Sequence, residues 1–227
     1  MKFIRLACWA LACAAAFTNA DGQGFVNLNF ENATITPDPS SPYYPDAVYA
    51  DKAIPGWTTT GGFLGPNDIG YNLFSLGSTA ITLVGTNAAI RAIDGRFGVF
   101  LYGGDTAPSV TLSQTAVLPM DAASILFKAQ YSGASGGILL VSVGGQNIPF
   151  SSVSTGSDYT LYGGNISAFA GKSEQLVFSA LAGENFWNID DIQFSSTPVP
   201  EPNDLCLLSA GVLLLGRRIG RSKVNRL

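Results

Sequence analysis

Apolar and polar residues alternate in short runs along most of the chain. The run 25–31 (FVNLNFE) alternates with a period of two, which predicts a first strand with one buried and one solvated face. Similar runs predict strands at 80–84, 98–102, 109–115, 124–131, 137–143, 146–151, 159–162, 175–180 and 188–195, and a shorter strand after Trp57. About ten short strands at this spacing indicate an all-β sandwich or barrel.

The segments between the runs carry strong turn signals. Four prolines within residues 36–45 predict an exposed loop, and the Gly- and Asn-rich segment 61–72 predicts a second long loop. Gly144-Gly145 predicts a two-residue hairpin turn, because glycine adopts positive φ without strain. One short helical turn is predicted at 166–170, capped by Asn165 and closed by Gly171.

Both ends of the 227-residue chain differ from this pattern. Lys2 and Arg5 precede the apolar stretch 6–17 and small residues up to Ala20, which predicts a signal helix removed by signal peptidase after Ala20. At the other end, a proline-rich linker is followed by the apolar run 205–216 and by Arg217-Arg218. The chain therefore divides into a signal peptide (1–20), a β domain (21–196) and a C-terminal tail with a hydrophobic helix (197–227).

The β domain is acidic and lacks the residues of several common sites. It carries five basic and fourteen acidic residues, a net charge of −9, which argues against nucleic acid or anionic lipid as a ligand. The whole chain contains no histidine, which excludes His-dependent nucleophiles and His-based metal sites. The domain also contains no cysteine, so packing alone must stabilise it.

Two acidic groupings have candidate chemistry. In the predicted strand 188–195, Asp190 shares a face with Asn188 and Ile192, and Asp191 lies on the opposite face, so the two carboxylates are not expected to act as a pair. We expect a hydrogen-bonding or surface role for them, and the alternatives are a calcium site near a strand end or a catalytic role. Glu31, Glu174 and Glu184 are the candidate acid and base of a glycosidase, although their linear spacing does not support that geometry.

Aromatic residues near the predicted loops are the candidate ligand-binding platform. Tyr43 and Tyr44 lie in the proline-rich loop, Trp57 precedes the second long loop, and the pair Phe186-Trp187 precedes the last strand. Exposed rings with neighbouring Asn and Asp side chains suit the faces and hydroxyl groups of sugars. The alternative is that these rings pack in the core.

The C-terminal tail resembles the PEP-CTERM sorting signal of Gram-negative bacteria. The resemblance rests on Pro200-Glu201-Pro202, the apolar run 205–216 and Arg217-Arg218, in this order. It implies export through the inner membrane, brief membrane residence, recognition of Pro200, Glu201 and Pro202 by an exosortase-type enzyme, and delivery to the cell surface or the exopolysaccharide matrix. The apolar run is shorter than the ~20 residues that cross a bilayer, which favours a processed signal over a permanent anchor.

The β domain resembles the jelly-roll, galactose-binding-like modules found on such proteins. The resemblance rests on segments 158–162, 166–178 and 189–194. It implies a two-sheet antiparallel jelly-roll, flanked here by the two terminal helices. The expected function is a non-catalytic surface or matrix protein that binds carbohydrate, and the alternative is a carboxylate-dependent enzyme acting on extracellular polysaccharide.

Overall fold

Two β-sheets form a sandwich in the computed structural model, which describes residues 24–74, 77–105, 109–133, 137–183 and 185–199. The larger sheet contains β1 (Ala47–Tyr49), β3 (Asp68–Tyr71), β4 (Ala80–Gly85), β5 (Phe97–Tyr102), β7 (Ser124–Gly133), β10 (Phe150–Thr155), β11 (Thr160–Asn165) and β13 (Asn185–Ser195). The smaller sheet contains β2 (Thr58–Thr60), β6 (Val110–Val117), β8 (Leu139–Val143), β9 (Gln146–Asn147) and β12 (Ser173–Ala180). Helical structure among these residues is limited to α1 (Ala50–Ala53) and a 3-10 turn, Ser167–Phe169.

The strand order is that of a jelly-roll. The large sheet runs β1-β3-β4-β5-β13-β7-β11-β10 and the small sheet runs β2-β6-β12-β8-β9. The last strand inserts between β5 and β7 of the large sheet, and the strand before it inserts between β6 and β8 of the small sheet. The predicted two-sheet antiparallel jelly-roll is confirmed, with one parallel pairing, between β3 and β4.

A single apolar layer joins the sheets. Side chains such as Phe127, Phe178, Leu112 and Ile189 are fully buried there, and the Phe127 and Phe178 rings meet edge to face at 5.3 Å. The predicted hairpin at Gly144-Gly145 is confirmed, with φ of 57° and 76° at the two glycines. The predicted turn at 166–170 is also present, and Asn165 Oδ1 accepts a hydrogen bond from the Ser167 N–H.

The predicted first strand, 25–31, is wrong. Asn27 and Phe30 have φ of 52° and 58°, and the segment forms turns. The Asn27 side chain accepts a hydrogen bond from the Asn32 N–H, a local bond that competes with strand pairing. Phe30 is nevertheless fully buried, with its ring 5.7 Å from that of Trp57, so the apolar residues of this segment reach the core without a strand.

Two further predictions need correction. The predicted loop 61–72 contains β3, which is held by pairing with β1 and β4 rather than by its own sequence. The predicted strand 146–151 is divided between β9 and β10, which lie in different sheets. Pro149 lies between them and has no N–H to donate, which explains the break.

The two predicted terminal helices lie outside the described residues. Within the described parts of the chain, no helix is long and apolar enough to cross a membrane.

Candidate functional site

The outer face of the large sheet, which points away from the small sheet, carries the candidate site. Cross-strand partners share a face, so the register defines rows of side chains across β5, β13 and β7. One row is Tyr102, Phe186 and Ser132, and the next is Phe100, Asn188 and Gln130. The rows change from aromatic at β5 to polar at β7.

A second, smaller apolar cluster covers the β4 and β5 end of this face. Its buried members are Ala80, Val84, Ala88, Phe100 and Tyr102. The Phe186 ring stacks on Tyr102 at 4.4 Å and on Phe100 at 5.5 Å. Phe186 is partly exposed, so it forms the border between the covered aromatic end and the open polar end.

The loop between β4 and β5 runs over this face and ends the cluster. Ile90 packs against the cluster, and the Asn188 side-chain amide donates a hydrogen bond of 2.7 Å to the Arg91 carbonyl. Asn188 is only 2% exposed, so this buried bond fixes the loop to β13 on the side of the loop that faces the sheet. The far side of the loop is left facing the polar side chains of β7.

A groove of about 430 Å³ lies between this loop and β7; we call it the outer-face groove. It is lined by Ala89, Ile90, Arg91, Ala92 and Ile93 of the loop, by Gln130 and Ser132 of β7, and by Asp158 of the turn between β10 and β11. A guanidinium, an amide, a hydroxyl and a carboxylate thus surround one space with apolar walls beside them. Such a set both donates and accepts hydrogen bonds.

A second cavity on the same face is strongly acidic. This carboxylate pocket, of about 160 Å³, is lined by Asn29, Glu31, Asp94, Gly95, Asp190 and Asp191. It exists because β13 bulges between Asp190 and Gln193, where Asp191 has φ of 47°. The bulge brings Asp190 and Asp191 to one pocket and turns Ile192 into the core beside Ile189, so the face assignment expected from strict alternation is wrong here.

One lysine balances much of this acidity. The Lys128 ammonium contacts Asp94 Oδ2 and lies 2.9 Å from Asp191 Oδ2. Its hydrogen bond to Asp94 raises the pKa of Lys128 and holds the pKa of Asp94 below its usual range. Glu31 is occupied separately, since its carboxylate accepts hydrogen bonds from the Arg96 and Phe97 backbone and pairs with the Arg96 guanidinium at 3.2 Å.

Asp190 differs from its acidic neighbours because it is fully buried. Burial raises the pKa of Asp190 to about 7, although its carboxylate accepts hydrogen bonds from the Asp94 and Asp191 N–H groups. The Asp94 bond, at 2.9 Å, ties the β4–β5 loop to β13 at a second point. The Asp190 side chain therefore anchors the loop that forms one wall of the outer-face groove.

The alternative role of Asp190 and Asp191 as calcium ligands gains no support from the arrangement of the described carboxylates. Among the described residues, no group of three or more His, Cys, Asp and Glu side chains is placed to hold a metal ion. The ammonium of Lys128 lies where a cation between Asp94 and Asp191 would have to lie. The described carboxylates of this pocket are instead paired with Lys128, Arg96 and backbone donors.

The predicted aromatic platform is dispersed. Trp57 and Trp187 are 6% and 7% exposed, so both pack in the core, which is the alternative that the sequence left open. The Trp57 Nε1–H donates to the Asn27 carbonyl, and Trp187 packs against Tyr131 with ring centroids 5.1 Å apart. Tyr43 and Tyr44 are exposed, at 47% and 59%, but neither lines the outer-face groove.

The sequence did not single out the polar residues that line the outer-face groove. Gln130 and Ser132 occupy the polar phase of β7, whose alternation the sequence displays, but alternation does not reveal which solvated face will be enclosed. Arg91 and Asp158 lie in loops far apart in sequence. Of the predicted aromatic pair, Phe186 lies beside Ser132 on the outer face but does not line the groove, and Trp187 faces the core.

The remaining predicted residues are separated or lie outside the described parts. Glu31 lies in the carboxylate pocket, whereas Glu174 belongs to β12 of the small sheet, and Glu184 is not among the described residues. The same holds for Pro200, Glu201, Pro202, Arg217 and Arg218 of the sorting motif.

Comparisons with known proteins yield little similarity. No protein-family model matches the chain, and no curated protein matches it. A solved structure of TmCBM61 in complex with beta-1,4-galactotriose is similar at a TM-score of 0.46 and 17% identity, covering 76% of this chain and 98% of that one.

Proposed function

We propose that the protein is an exported, non-catalytic surface or matrix protein whose β domain binds carbohydrate in the outer-face groove. The observation that supports this best is the lining of the groove by Arg91, Gln130, Ser132 and Asp158 beside apolar loop residues. Sugars combine closely spaced hydroxyl groups, which donate and accept hydrogen bonds, with apolar C–H surfaces. A few convergent polar groups on an apolar wall suit such a ligand, and the groove volume falls within the range of about 300–1,000 Å³ typical of ligand sites.

The balance of charge favours a neutral glycan. Arg91 and Asp158 contribute one charge of each sign to the groove, and they form no ion pair with each other. Each can therefore bond to ligand hydroxyl groups. The acidity of the whole domain, at a net charge of −9, disfavours polyanions further.

Binding is favoured over catalysis by the position of the carboxylates. A glycosidase places two carboxyl groups about 5–10 Å apart across a sugar. The carboxylate pocket has a volume of about 160 Å³, its Asp190 side chain is fully buried, and its other described carboxylates are occupied by Lys128 or Arg96. The alternative of an enzyme acting on extracellular polysaccharide predicts turnover, so a reducing-end assay on the glycans bound by the chain separates the two.

The groove is tested by titrating the full-length chain with a panel of soluble neutral and uronate-containing polysaccharides. Gln130→Ala and Ser132→Ala are each expected to weaken binding of the selected neutral polymer about tenfold, a loss of about 1.4 kcal/mol. Gln175→Ala is the matched control, because Gln175 is an exposed glutamine on the small sheet. Undiminished binding by both groove variants, or loss of binding in Tyr43→Ala or Tyr44→Ala, would place the site elsewhere.

We also propose that the terminal segments act as addresses: residues 1–20 direct export and the tail 197–227 is processed by an exosortase-type enzyme. The support is the order of Pro200-Glu201-Pro202, the apolar run and Arg217-Arg218. Mass spectrometry of the surface form in a Gram-negative host is expected to find an N-terminus at Asp21 and to miss Arg217-Arg218. An intact tail on the surface form contradicts the processing step.

A further inference from the structure

The C-terminal connection, 196–199, does not project from the domain but lies against the large sheet. The Ser124 hydroxyl donates a 2.7 Å hydrogen bond to the Thr197 carbonyl, and the Thr197 N–H donates to Ser195 Oγ at 3.0 Å. Ser124 is fully buried at the start of β7, so this anchor belongs to the folded sheet. The chain is therefore held at Thr197, three residues before the predicted sorting motif.

Two residues later the connection makes an apolar contact over a glycine. A Cβ built on Gly163 would lie 2.7 Å from a Val199 methyl, 2.8 Å from a Leu126 methyl and 2.9 Å from a Val153 methyl. Three methyl groups from three segments therefore surround the same position above Gly163 of β11. We call the depression formed by Leu126, Val153 and Gly163 the notch.

The notch lies on the same face as the outer-face groove. Tyr162 packs in the core, so its neighbour Gly163 points outward, and Gly163 pairs with Leu126 of β7. Leu126 is in phase with Gln130 and Ser132 along β7. The six residue steps from Leu126 to Ser132 span about 20 Å, so the notch and the groove are neighbouring sites on one surface.

The notch also accounts for an apolar residue that is otherwise exposed. Val153 is 47% exposed on β10, at a bulge of an edge strand. A methyl group of Val153 and one of Val199 both lie within 3 Å of the position that a Cβ at Gly163 would occupy, so the connection places an apolar side chain at the same notch. A side chain at Gly163 would fill the notch, because approaches under 3 Å to all three methyl groups require at least one of them to move.

We propose that this notch is a docking site for the chain's own C-terminal connection, and that the chain consequently leaves the folded domain, after Val199, on the face that carries the groove. The statement about the face from which the chain leaves rests on the proposed function only because it names the groove as the ligand site. A domain tethered through residue 200 would then present its groove on the side of its attachment. Any enzyme that acts on Pro200-Glu201-Pro202 would meet the folded domain at this same face.

The dock is tested by methyl NMR on the full-length chain, without glycan or processing enzyme. Nuclear Overhauser effects between Val199 and both Leu126 and Val153 are expected. Gly163→Val should abolish these effects because it fills the notch, while the core signals of Val141 and Leu176 keep their positions. If Gly163→Val fails to fold, Val199→Ser removes the docking methyl groups instead. Gly24→Val is the matched control, because nothing lies within 4 Å of a Cβ at Gly24.

The departure face is tested with a nitroxide at position 203, in a chain whose Cys8, Cys13 and Cys206 are serine. Methyl signals of Leu126 and Leu161 on the outer face of the large sheet should broaden, whereas those of Leu140 and Val177 on the outer face of the small sheet should not. Gly163→Val should reduce the broadening. Absent Val199 contacts, or equal broadening on both sheets, overturns the proposal. Failure of glycan binding alone leaves the dock intact and removes only the proposed function.

Discussion

The two faces of the large sheet are made by alternate residues of the same strands, but different interactions hold them. On β13, Trp187 and Ile189 enter the apolar layer, where shape and area decide the packing. Asn188 and Asp190 enter the opposite face, where each is buried and holds the β4–β5 loop through hydrogen bonds. The comparison shows that one face stabilises the fold while the other positions a loop and so creates a groove.

The largest expected difference between the two faces is in stability. Trp187→Ala is expected to lower the free energy of unfolding by about 3–5 kcal/mol, because it leaves a cavity in the core. Ser132→Ala, on the exposed end of the outer face, should change it by less than about 0.5 kcal/mol. Urea denaturation measures both changes, provided that the slope of unfolding free energy against urea concentration is the same in each variant. A loss under about 1 kcal/mol for Trp187→Ala would refute its core assignment.

On the outer face, the burial of Asp190 should instead make the free energy of unfolding depend on pH. Asp190 has a pKa of about 7 in the folded domain against 3.8 for an unperturbed aspartate, so the folded state retains a proton that the unfolded chain releases. Its stabilising contribution is complete below about pH 4 and is lost as pH rises through 7, up to about 4 kcal/mol at 1.36 kcal/mol per unit. Urea denaturation between pH 4 and 8 measures this slope, which Asp190→Asn should flatten.

Asp68 and Asp94 also contribute to the pH dependence of stability. Burial also raises the pKa of Asp68, so part of the slope should survive in Asp190→Asn, whereas the lowered pKa of Asp94 causes loss of stability only as pH falls below about 4. Asp46→Asn, at an exposed position, is the matched control and should keep the wild-type slope. An Asp190→Asn slope equal to that of wild type contradicts the burial of a titrating Asp190.

The smallest expected effect distinguishes a partly buried ion pair from an exposed one. Lys128→Met removes an ammonium that is 17% exposed and contacts Asp94 and Asp191, and we expect a loss of about 1 kcal/mol because Asp94 is itself 58% exposed and screened by solvent. Lys52→Met is the matched control, since Lys52 and Asp51 are 57% and 71% exposed. Urea denaturation measures the loss of unfolding free energy in both variants. Equal losses for Lys128→Met and Lys52→Met, or losses that no longer differ in 1 M salt, would contradict a special role of Lys128.

Prediction from the sequence succeeded where a local pattern decides the structure. The strands around Val99, Phe127 and Phe178 and the turn at Gly144-Gly145 follow from alternation and from glycine φ, and all are present. It failed at residues 25–31, where Asn27 bonds to its own neighbours, and at β3, which exists only through its partners. Segments with a strong alternating pattern are therefore the ones whose structure was predicted correctly, except where a polar side chain bonds locally and competes with strand pairing.

The candidate site was less predictable than the fold. Asp190 lies in the last strand, as the alternation predicts, but the bulge at Asp191 places both carboxylates in one pocket against expectation. Phe186 and Trp187 are adjacent in sequence and have opposite fates, since neighbouring side chains on a strand point to opposite faces. Aromatic character alone does not tell which of the two will be buried.

The sequence by itself determined the class of fold and the acidic, histidine-free chemistry of the domain. The export and sorting functions of its two terminal segments stay predictions. These depend on composition and on patterns within a few residues. The tertiary structure alone decided the groove, the carboxylate pocket and the notch, because each joins segments 30 to 100 residues apart: Arg91 with Gln130, Asp94 with Asp190, and Leu126 with Val199. Contacts of that range arise from the register of the sheets and from the bulges in β10 and β13, which no local pattern encodes.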